Sequence, residues 1–196
     1  MLLTDARLDF GQDLIRHWLA IRAGGELVPL KAQIEPAAMR KSLPFVTIVD
    51  VSDPGAPRIA LAGTALRQRY GREITGADWM NFVPEVLRSR YRFNAALMLQ
   101  TPCGIYYAFK ITADANVMRE VETVALPLKG AADRPPNFSI TVSRDIALKG
   151  IADAATVETA KVDHVTVEFI DIGAGMPDLG APGTDAPGRD ATQAGR

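Results

Sequence analysis

A glycine-containing loop near the end of the chain has the residue types of a cofactor-binding turn. In the segment FIDIGAGMPDLG, Asp171 precedes Gly173 and Gly175 at the end of a predicted strand. An acidic residue ahead of a Gly-x-Gly turn is typical of methyltransferase and dinucleotide-binding loops. That chemistry requires a following helix, whose N-terminus holds the anion, and then another strand. Because the residues after Gly180 are few and rich in Pro and Gly, we expect no such unit. A small enzyme or nucleotide-cofactor binder using Gly173–Gly175 is the alternative function.

Other residues that could carry catalysis or bind a metal are scattered along the chain. The two histidines, His17 and His164, are expected on the surface of a helix and of a strand. Metal sites need clustered His, Cys, Asp or Glu ligands, which this spacing does not provide. Cys103 lies in a turn beside Pro102, so we expect an unreactive thiol. There is no Gly-x-Ser-x-Gly motif. From these residues we therefore predict no catalytic site, no metal ion and no cofactor.

Composition and charge describe a globular chain. Its 196 residues are 47% hydrophobic and 23% charged, and the formal net charge is −1. This balance provides no electrostatic footprint for nucleic acid or an anionic membrane. No apolar run approaches the roughly 18 residues of a membrane-spanning helix. The N-terminus, MLLTDARLDFGQD, lacks the basic region of a secretory signal. A single cysteine excludes an internal disulfide, and we expect a cytoplasmic protein.

Hydrophobic periodicity predicts helices and strands in a mixed order. Apolar residues at three-to-four spacing predict a helix over 8–23 and a longer one over 84–101. Between them, Thr64 is placed to cap a helix over 64–70 that Gly71 ends. Alternating and β-branched patterns predict strands at 45–51, 58–62, 105–112, 119–128, 137–144 and 162–172.

The middle of this pattern resembles a PAS sensory domain. The residues that carry the resemblance are Gly63, Thr64, Leu66, Tyr70, Gly71, Glu73, Thr75, Gly76 and Asp78. With its flanking motifs, over roughly residues 10–173, the chain is similar in particular to a PAS-like family of alphaproteobacteria formerly described as a domain of unknown function. The resemblance implies an α+β fold with a PAS-like five-stranded antiparallel sheet flanked by helices on one face, an N-terminal helix and a C-terminal extra strand. It implies ligand sensing or partner binding and supplies no reaction.

The resemblance also divides the chain into segments. Residues 1–44 are expected to form an N-terminal helical extension, 45–146 the PAS-like core and 147–173 a C-terminal strand extension. In the tail, 174–196, bulky apolar residues are nearly absent. Such a composition does not repay an ordering entropy of roughly 1–2 kcal/mol per residue, so we expect the tail to be disordered.

The PAS layout predicts a pocket between the long helix and the sheet, closed by residues that precede the helix. Its wall is predicted to consist of Tyr70, Trp79, Phe82, Tyr91, Asn94, Met98, Tyr107, Phe109 and Thr123. Asn94 places an amide on an otherwise apolar stripe, and a buried amide needs partners. The Asn94 amide is expected to form hydrogen bonds either with a small ligand or, alternatively, with a backbone group or a water molecule. Ser139, Thr141 and Ser143 are interpreted as the wet or half-wet face of a strand.

A second candidate surface lies on one face of the predicted sheet. Val124 and Leu126 would be exposed there unless another element covers them. The N-terminal helix, with Leu14, Trp18 and Leu19, is the natural cover, either within one chain or across a homodimer. We therefore expect a stand-alone, non-enzymatic PAS-like domain that binds a small molecule in the pocket, a signalling partner protein, or both.

Overall fold

The computed structural model describes most of the chain, namely residues 1–22, 25–112, 118–150, 157 and 159–179. Residues 180–196 of the predicted tail lie outside the described residues, so the predicted disorder stays a prediction. Residues 174–179 are described and form neither helix nor strand.

Six strands form a single antiparallel sheet in the described part of the chain. They are Val46–Asp50 (β1), Arg58–Ala62 (β2), Gly104–Thr112 (β3), Met118–Lys129 (β4), Pro136–Lys149 (β5) and Lys161–Ile170 (β6). Their order across the sheet is β2-β1-β5-β4-β3-β6. The C-terminal extra strand β6 pairs with β3 and so extends the five-stranded PAS-like core. Strand β5 continues to Lys149, past the boundary placed at 146, because it stays paired with β4 as far as Met118.

The described α-helices are short or medium in length, and 3-10 turns connect them to the strands. The α-helices are Gln12–Ala20 (α1), Thr64–Tyr70 (α2) and Glu85–Gln100 (α3). The 3-10 turns are Ala6–Gly11, Lys31–Gln33, Pro36–Met39, Leu43–Phe45 and Trp79–Phe82. The single helix predicted over 8–23 is therefore a 3-10 turn followed by the shorter helix α1.

Helix α2 has its predicted bounds but a different N-terminal cap. Gly63, rather than Thr64, occupies the cap position, and no side-chain cap bond forms. A Cβ on Gly63 would come 2.3 Å from the carbonyl oxygen of Pro44, so a glycine is required at this close approach. Gly71 ends the helix as predicted, with φ +66° in the left-handed region.

The alternate side chains of the central strands pack against two different helical layers. In β4, Val124 and Leu126 belong to a core cluster with residues of α1. Ala125, between them in sequence, packs instead with Met98 of α3. Because successive side chains of a strand point to opposite faces, one strand serves both layers. Helix α1 therefore covers one face of the sheet, and α3 covers the other.

Helix α1 covers its face of the sheet within the same chain. Leu14 and Trp18 are fully buried in one cluster with Val124 and Leu126. Leu19 lies off this face and is 40% exposed. Of the two alternatives for covering Val124 and Leu126, this structure has the intrachain one. A contact across a homodimer stays a prediction.

His17 is buried, and the prediction that it lies on the helix surface is wrong. It is 8% exposed, and its Nε2 accepts a hydrogen bond from the backbone N–H of Glu35 at 2.9 Å. The Pro36–Met39 turn packs against α1 on that side. Helical periodicity shows which face is polar, but it does not show that a later segment of the chain folds over that face.

Replacement of Trp18 by alanine is expected to lower the free energy of unfolding by about 3–5 kcal/mol, because it removes a fully buried ring. It also removes the hydrogen bond from Trp18 Nε1 to the carbonyl oxygen of Pro127, 2.9 Å long. Urea unfolding monitored by circular dichroism measures the change. The matched control, Leu19→Ala on the same helix, is expected to cost less than about 1 kcal/mol. A loss for Trp18→Ala that depends on protein concentration would contradict packing within one chain.

Candidate functional site

A cavity, called here the helix–sheet cavity, lies between α3, the Trp79–Phe82 turn and the sheet. A volume of ≈ 80 Å³ is open to the centres of water molecules. One water needs roughly 10–15 Å³ by this measure, so the cavity has room for several waters or a small organic molecule. Its wall consists of Val51, Tyr70, Trp79, Phe82, Val83, Pro84, Leu87, Tyr91, Ala95, Met98, Ile105, Tyr107, Phe109, Arg119, Thr123, Ala125, Ser139, Thr141 and Ser143.

Aromatic rings form a connected wall along one side of the helix–sheet cavity. The ring of Phe82 lies 4.7 Å from that of Tyr70 and 6.2 Å from that of Trp79. Tyr91 continues the series, 6.3 Å from Trp79 and 6.4 Å from Tyr107. Burial raises the pKa of the Tyr91 hydroxyl above its ordinary value. Tilted and stacked contacts of this kind are favourable between aromatic rings, and they make this side of the wall largely apolar.

The structure brings most of the predicted pocket residues to this one cavity. Those on its wall are Tyr70, Trp79, Phe82, Tyr91, Met98, Tyr107, Phe109 and Thr123. Asn94 is buried but is not part of the wall, and its Nδ2 has no hydrogen-bond partner among the described residues. Burial and the neighbouring Tyr91 raise the pKa of Tyr107. Ligand binding by these residues stays a prediction.

Strand β5 provides the cavity with a floor of hydroxyl groups. Ser139, Thr141 and Ser143 all line the cavity and are buried, so their interpretation as a wet or half-wet face is wrong. Helix α3 and the turn before it cover this face. The Ser143 hydroxyl lies 2.9 Å from that of Thr123, and the Thr141 hydroxyl donates to the carbonyl oxygen of Thr47 at 3.5 Å. The floor is therefore polar, although it lies inside the protein.

An ion cluster of two buried arginines and one partly exposed carboxylate, called here the Arg69–Asp145–Arg119 cluster, adjoins the cavity. Arg69 Nε donates to Asp145 Oδ2 at 3.1 Å, and Arg69 Nη2 donates to the same oxygen. Arg119 Nε donates to Asp145 Oδ1 at 3.2 Å. Arg119 Nη1 also donates to the hydroxyl of Tyr70, at 2.9 Å. One carboxylate thus orients two guanidinium groups, and Arg119 is on the cavity wall.

Sequence reasoning missed this cluster, although part of the signal was present. Arg119 has the same strand phase as Thr123, and Asp145 has the same phase as Ser143. Strand alternation therefore placed Arg119 on the pocket side once Thr123 was assigned there, whereas Asp145 followed Ser143, which was interpreted as part of a wet or half-wet face. Arg69 lies on α2, and its approach to Asp145 follows from the tertiary fold alone.

In the loop after β6, the backbone N–H groups of the two glycines are already paired. Asp171 Oδ1 accepts hydrogen bonds from the backbone N–H groups of Gly173 and Gly175, at 2.7 and 3.1 Å. An anion cradle of the kind found in cofactor-binding loops would need such groups unpaired. The described residues that follow, up to Leu179, begin no helix.

The described residues contain no cluster of three or more His, Cys, Asp or Glu side chains that would hold a metal ion. His164 is exposed on β6, where its ring lies 3.0 Å from the Thr166 hydroxyl. In the part of the chain that the structure covers, no helix has the length and apolarity needed to cross a bilayer.

Comparison with protein families places the chain in a known class. A family model described as a PAS domain matches residues 9–140, which is more than half of the chain. The chain therefore belongs to the PAS domain family, whose members are typically sensory or interaction domains and not enzymes. Neither the curated proteins nor the solved structures yielded a match. The family match ends within β5, so β6 lies outside it.

Replacement of Asp145 by asparagine is expected to lower the free energy of unfolding by about 3–5 kcal/mol, because it leaves two buried guanidinium groups without a counter-charge. Thermal or urea unfolding at neutral pH measures the loss. The matched control is Glu73→Gln, which breaks the exposed ion pair with Arg67 and is expected to cost less than about 1 kcal/mol. Equal losses in the two variants would mean that solvent screens the cluster as effectively as it screens the surface pair.

The thiol of Cys103 is expected to react slowly in the folded protein. Burial, with a smaller effect of the Asp171 charge, raises the pKa of Cys103 to about 12. The thiolate is the reacting form, so at pH 8 the folded protein should react with Ellman's reagent at least about a hundredfold more slowly than the unfolded chain. The same sample in denaturant is the control. A folded protein that is labelled as fast as the denatured one would show that the thiol is accessible and ionised.

Proposed function

We propose that the chain is a non-enzymatic PAS sensory domain of the cytoplasm that binds a small molecule in the helix–sheet cavity. The observation that carries the proposal is the mixed wall of this cavity, with aromatic rings on one side and the hydroxyl groups of Ser139, Thr141 and Ser143 on the floor. Ligand sites are typically concave and mostly apolar, with a few polar groups that fix orientation.

An unpaired donor in the wall supports the same proposal. Trp79 Nε1 is buried and has no hydrogen-bond partner among the described residues, and Trp79 lines the cavity. Buried polar groups normally have a partner, and the exceptions call for an explanation. An acceptor atom on a bound molecule would provide one.

The residue types in the wall support binding rather than catalysis. The described wall contains tyrosines, one arginine and several hydroxyl groups, but no histidine, cysteine or carboxylate. General acid–base catalysis at neutral pH most often uses a histidine or a carboxylic acid. A sensory role therefore fits the cavity better than hydrolysis or group transfer does.

The outer surface of helix α3 offers a route from the cavity to another protein. Helix α3 forms one side of the cavity and also exposes two apolar residues one heptad apart, Val86 at 69% and Phe93 at 52%. Residues seven apart lie on nearly the same side of a helix. A change in the cavity would thus act directly on an element with an apolar outer surface, which is suited to a signalling partner or to a second copy of the chain.

Replacement of Ala95 by leucine is expected to weaken ligand binding roughly tenfold or more, because the added carbons occupy cavity volume. The measurement is native mass spectrometry of the purified protein, compared with a denatured sample. Wild type should carry an additional mass that denaturation removes, and the variant should carry less of it. Ala96→Leu, one residue further along α3 and outside the cavity wall, is the matched control and should retain the mass.

The same spectra report whether the chain forms a homodimer.

A wild-type chain without any additional mass, which is also not stabilised against heat by any compound of a metabolite library, would contradict ligand sensing. Equal retention of the bound mass in the Ala95 and Ala96 variants would show that the molecule binds elsewhere.

A further inference from the structure

A surplus of positive charge is buried beside the helix–sheet cavity. In the Arg69–Asp145–Arg119 cluster, two guanidinium groups share one carboxylate. Among the described residues, Asp145 is the sole carboxylate bonded to either arginine. The side chains of Arg69 and Arg119 are only 2% and 6% exposed. The described part of the cluster therefore has a net charge of one positive unit.

This surplus charge has no further carboxylate partner among the described residues. A buried charge is costly unless it is paired and all its donors are satisfied. Arg69 Nη1 is buried and has no hydrogen-bond partner among the described residues. Burial, together with the positive charge of Arg119, lowers the pKa of Arg69 below its ordinary value. One further negative charge nearby would stabilise both arginines.

Arg119 brings the surplus charge to the cavity wall. Its guanidinium carbon lies 5.7 Å from the ring centroid of Phe109 and 5.8 Å from that of Tyr70, and all three residues line the cavity. The Tyr70 hydroxyl and the Asp145 carboxylate each accept one of its N–H groups. These two bonds therefore already orient the guanidinium. Among side chains, a planar guanidinium has the donor geometry that best matches a carboxylate.

We infer that the molecule bound in the helix–sheet cavity is an organic monoanion, a carboxylate on an apolar or aromatic body, and that Arg119 recognises the carboxylate. The inference rests on the proposed function and names its ligand class. The aromatic wall would contact the body of such a molecule, and its single negative charge equals the surplus of the cluster. A second anionic charge would have no described counterpart in the wall, where Arg119 is the only charged residue.

Matched pairs of an acid and its neutral amide test the inference on the full chain. The probes are phenylacetate with phenylacetamide and octanoate with octanamide, titrated into the protein by calorimetry at neutral pH. The acid of a pair is expected to bind roughly tenfold to a hundredfold more tightly than its amide, the range of a charge-assisted hydrogen bond. Arg119→Gln should remove this preference and leave amide binding unchanged.

Two further variants separate recognition from folding. Arg67→Gln, on the same helix as Arg69 but exposed and paired with Glu73, should keep the wild-type preference for the acid. Arg119→Lys keeps the charge and should retain part of the preference. If Arg119→Gln binds not even the amide and its circular dichroism shows that the fold is lost, the lysine variant provides the test; a folded Arg119→Gln that binds no amide contradicts the expected result.

The remaining outcomes overturn the inference. Equal binding of acid and amide by the wild type, or an acid preference that survives Arg119→Gln, would show that Arg119 does not recognise the carboxylate. Either result is still compatible with a cavity that binds a ligand. Equal binding of acid and amide by Arg119→Lys has the same two consequences. Absence of binding by all four probes overturns the anionic ligand class, and the native spectra then decide separately whether the cavity binds any molecule.

Discussion

The alternation of side chains along β4 and β5 is the constraint on which the rest of the structure depends. These two strands lie at the centre of the sheet and are paired along their length. Over residues 124–128 of β4 and 139–143 of β5 one helical layer lies above the strands and another below, so both sets of alternate residues are buried there. A shift of one residue in the register would exchange the two sets completely. Helix α1 and the helix–sheet cavity are therefore positioned by the same pairing.

The two faces of the sheet are covered by layers of different composition. The layer under α1 is packed from apolar side chains, among them Leu126, Ile140 and Val142. The layer under α3 contains hydroxyl groups, two arginines and a cavity. A protein selected for stability alone has little reason to bury ionic groups where apolar residues would pack equally well. The cavity side thus differs from a conventional apolar core, which the α1 side has.

The terminal segments complete the family core rather than standing apart from it. Without β6, strand β3 would be an exposed edge, and exposed edges invite pairing with other chains. Strand β6 pairs along β3 and covers that edge. Arg7 then joins the N-terminal segment to β6 through a two-point contact with Glu168, with N–O distances of 2.5 and 3.0 Å. The two ends of the described chain are therefore linked to each other across one side of the domain.

The sequence by itself determined the elements, the fold class and much of the cavity wall. Period-two and helical patterns are local properties, so they located all six strands, α2 and α3. The wall aromatics followed from the PAS resemblance, which supplies the tertiary layout that periodicity lacks. Bounds shifted where tertiary contacts extend or shorten an element, as in the continuation of β5 to Lys149.

Only the tertiary structure decided which polar residues are buried. His17 and the β5 hydroxyl groups look like surface residues, because a pattern shows polarity but does not show what folds over it. Arg69 and Asp145 are far apart in sequence, and their pairing depends on how α2 packs against the far end of β5. Secondary structure follows from interactions between near neighbours, whereas a buried charge cluster requires segments that meet after folding. For that reason the strands and helices were predictable, and the pairing of Arg69 with Asp145 was not.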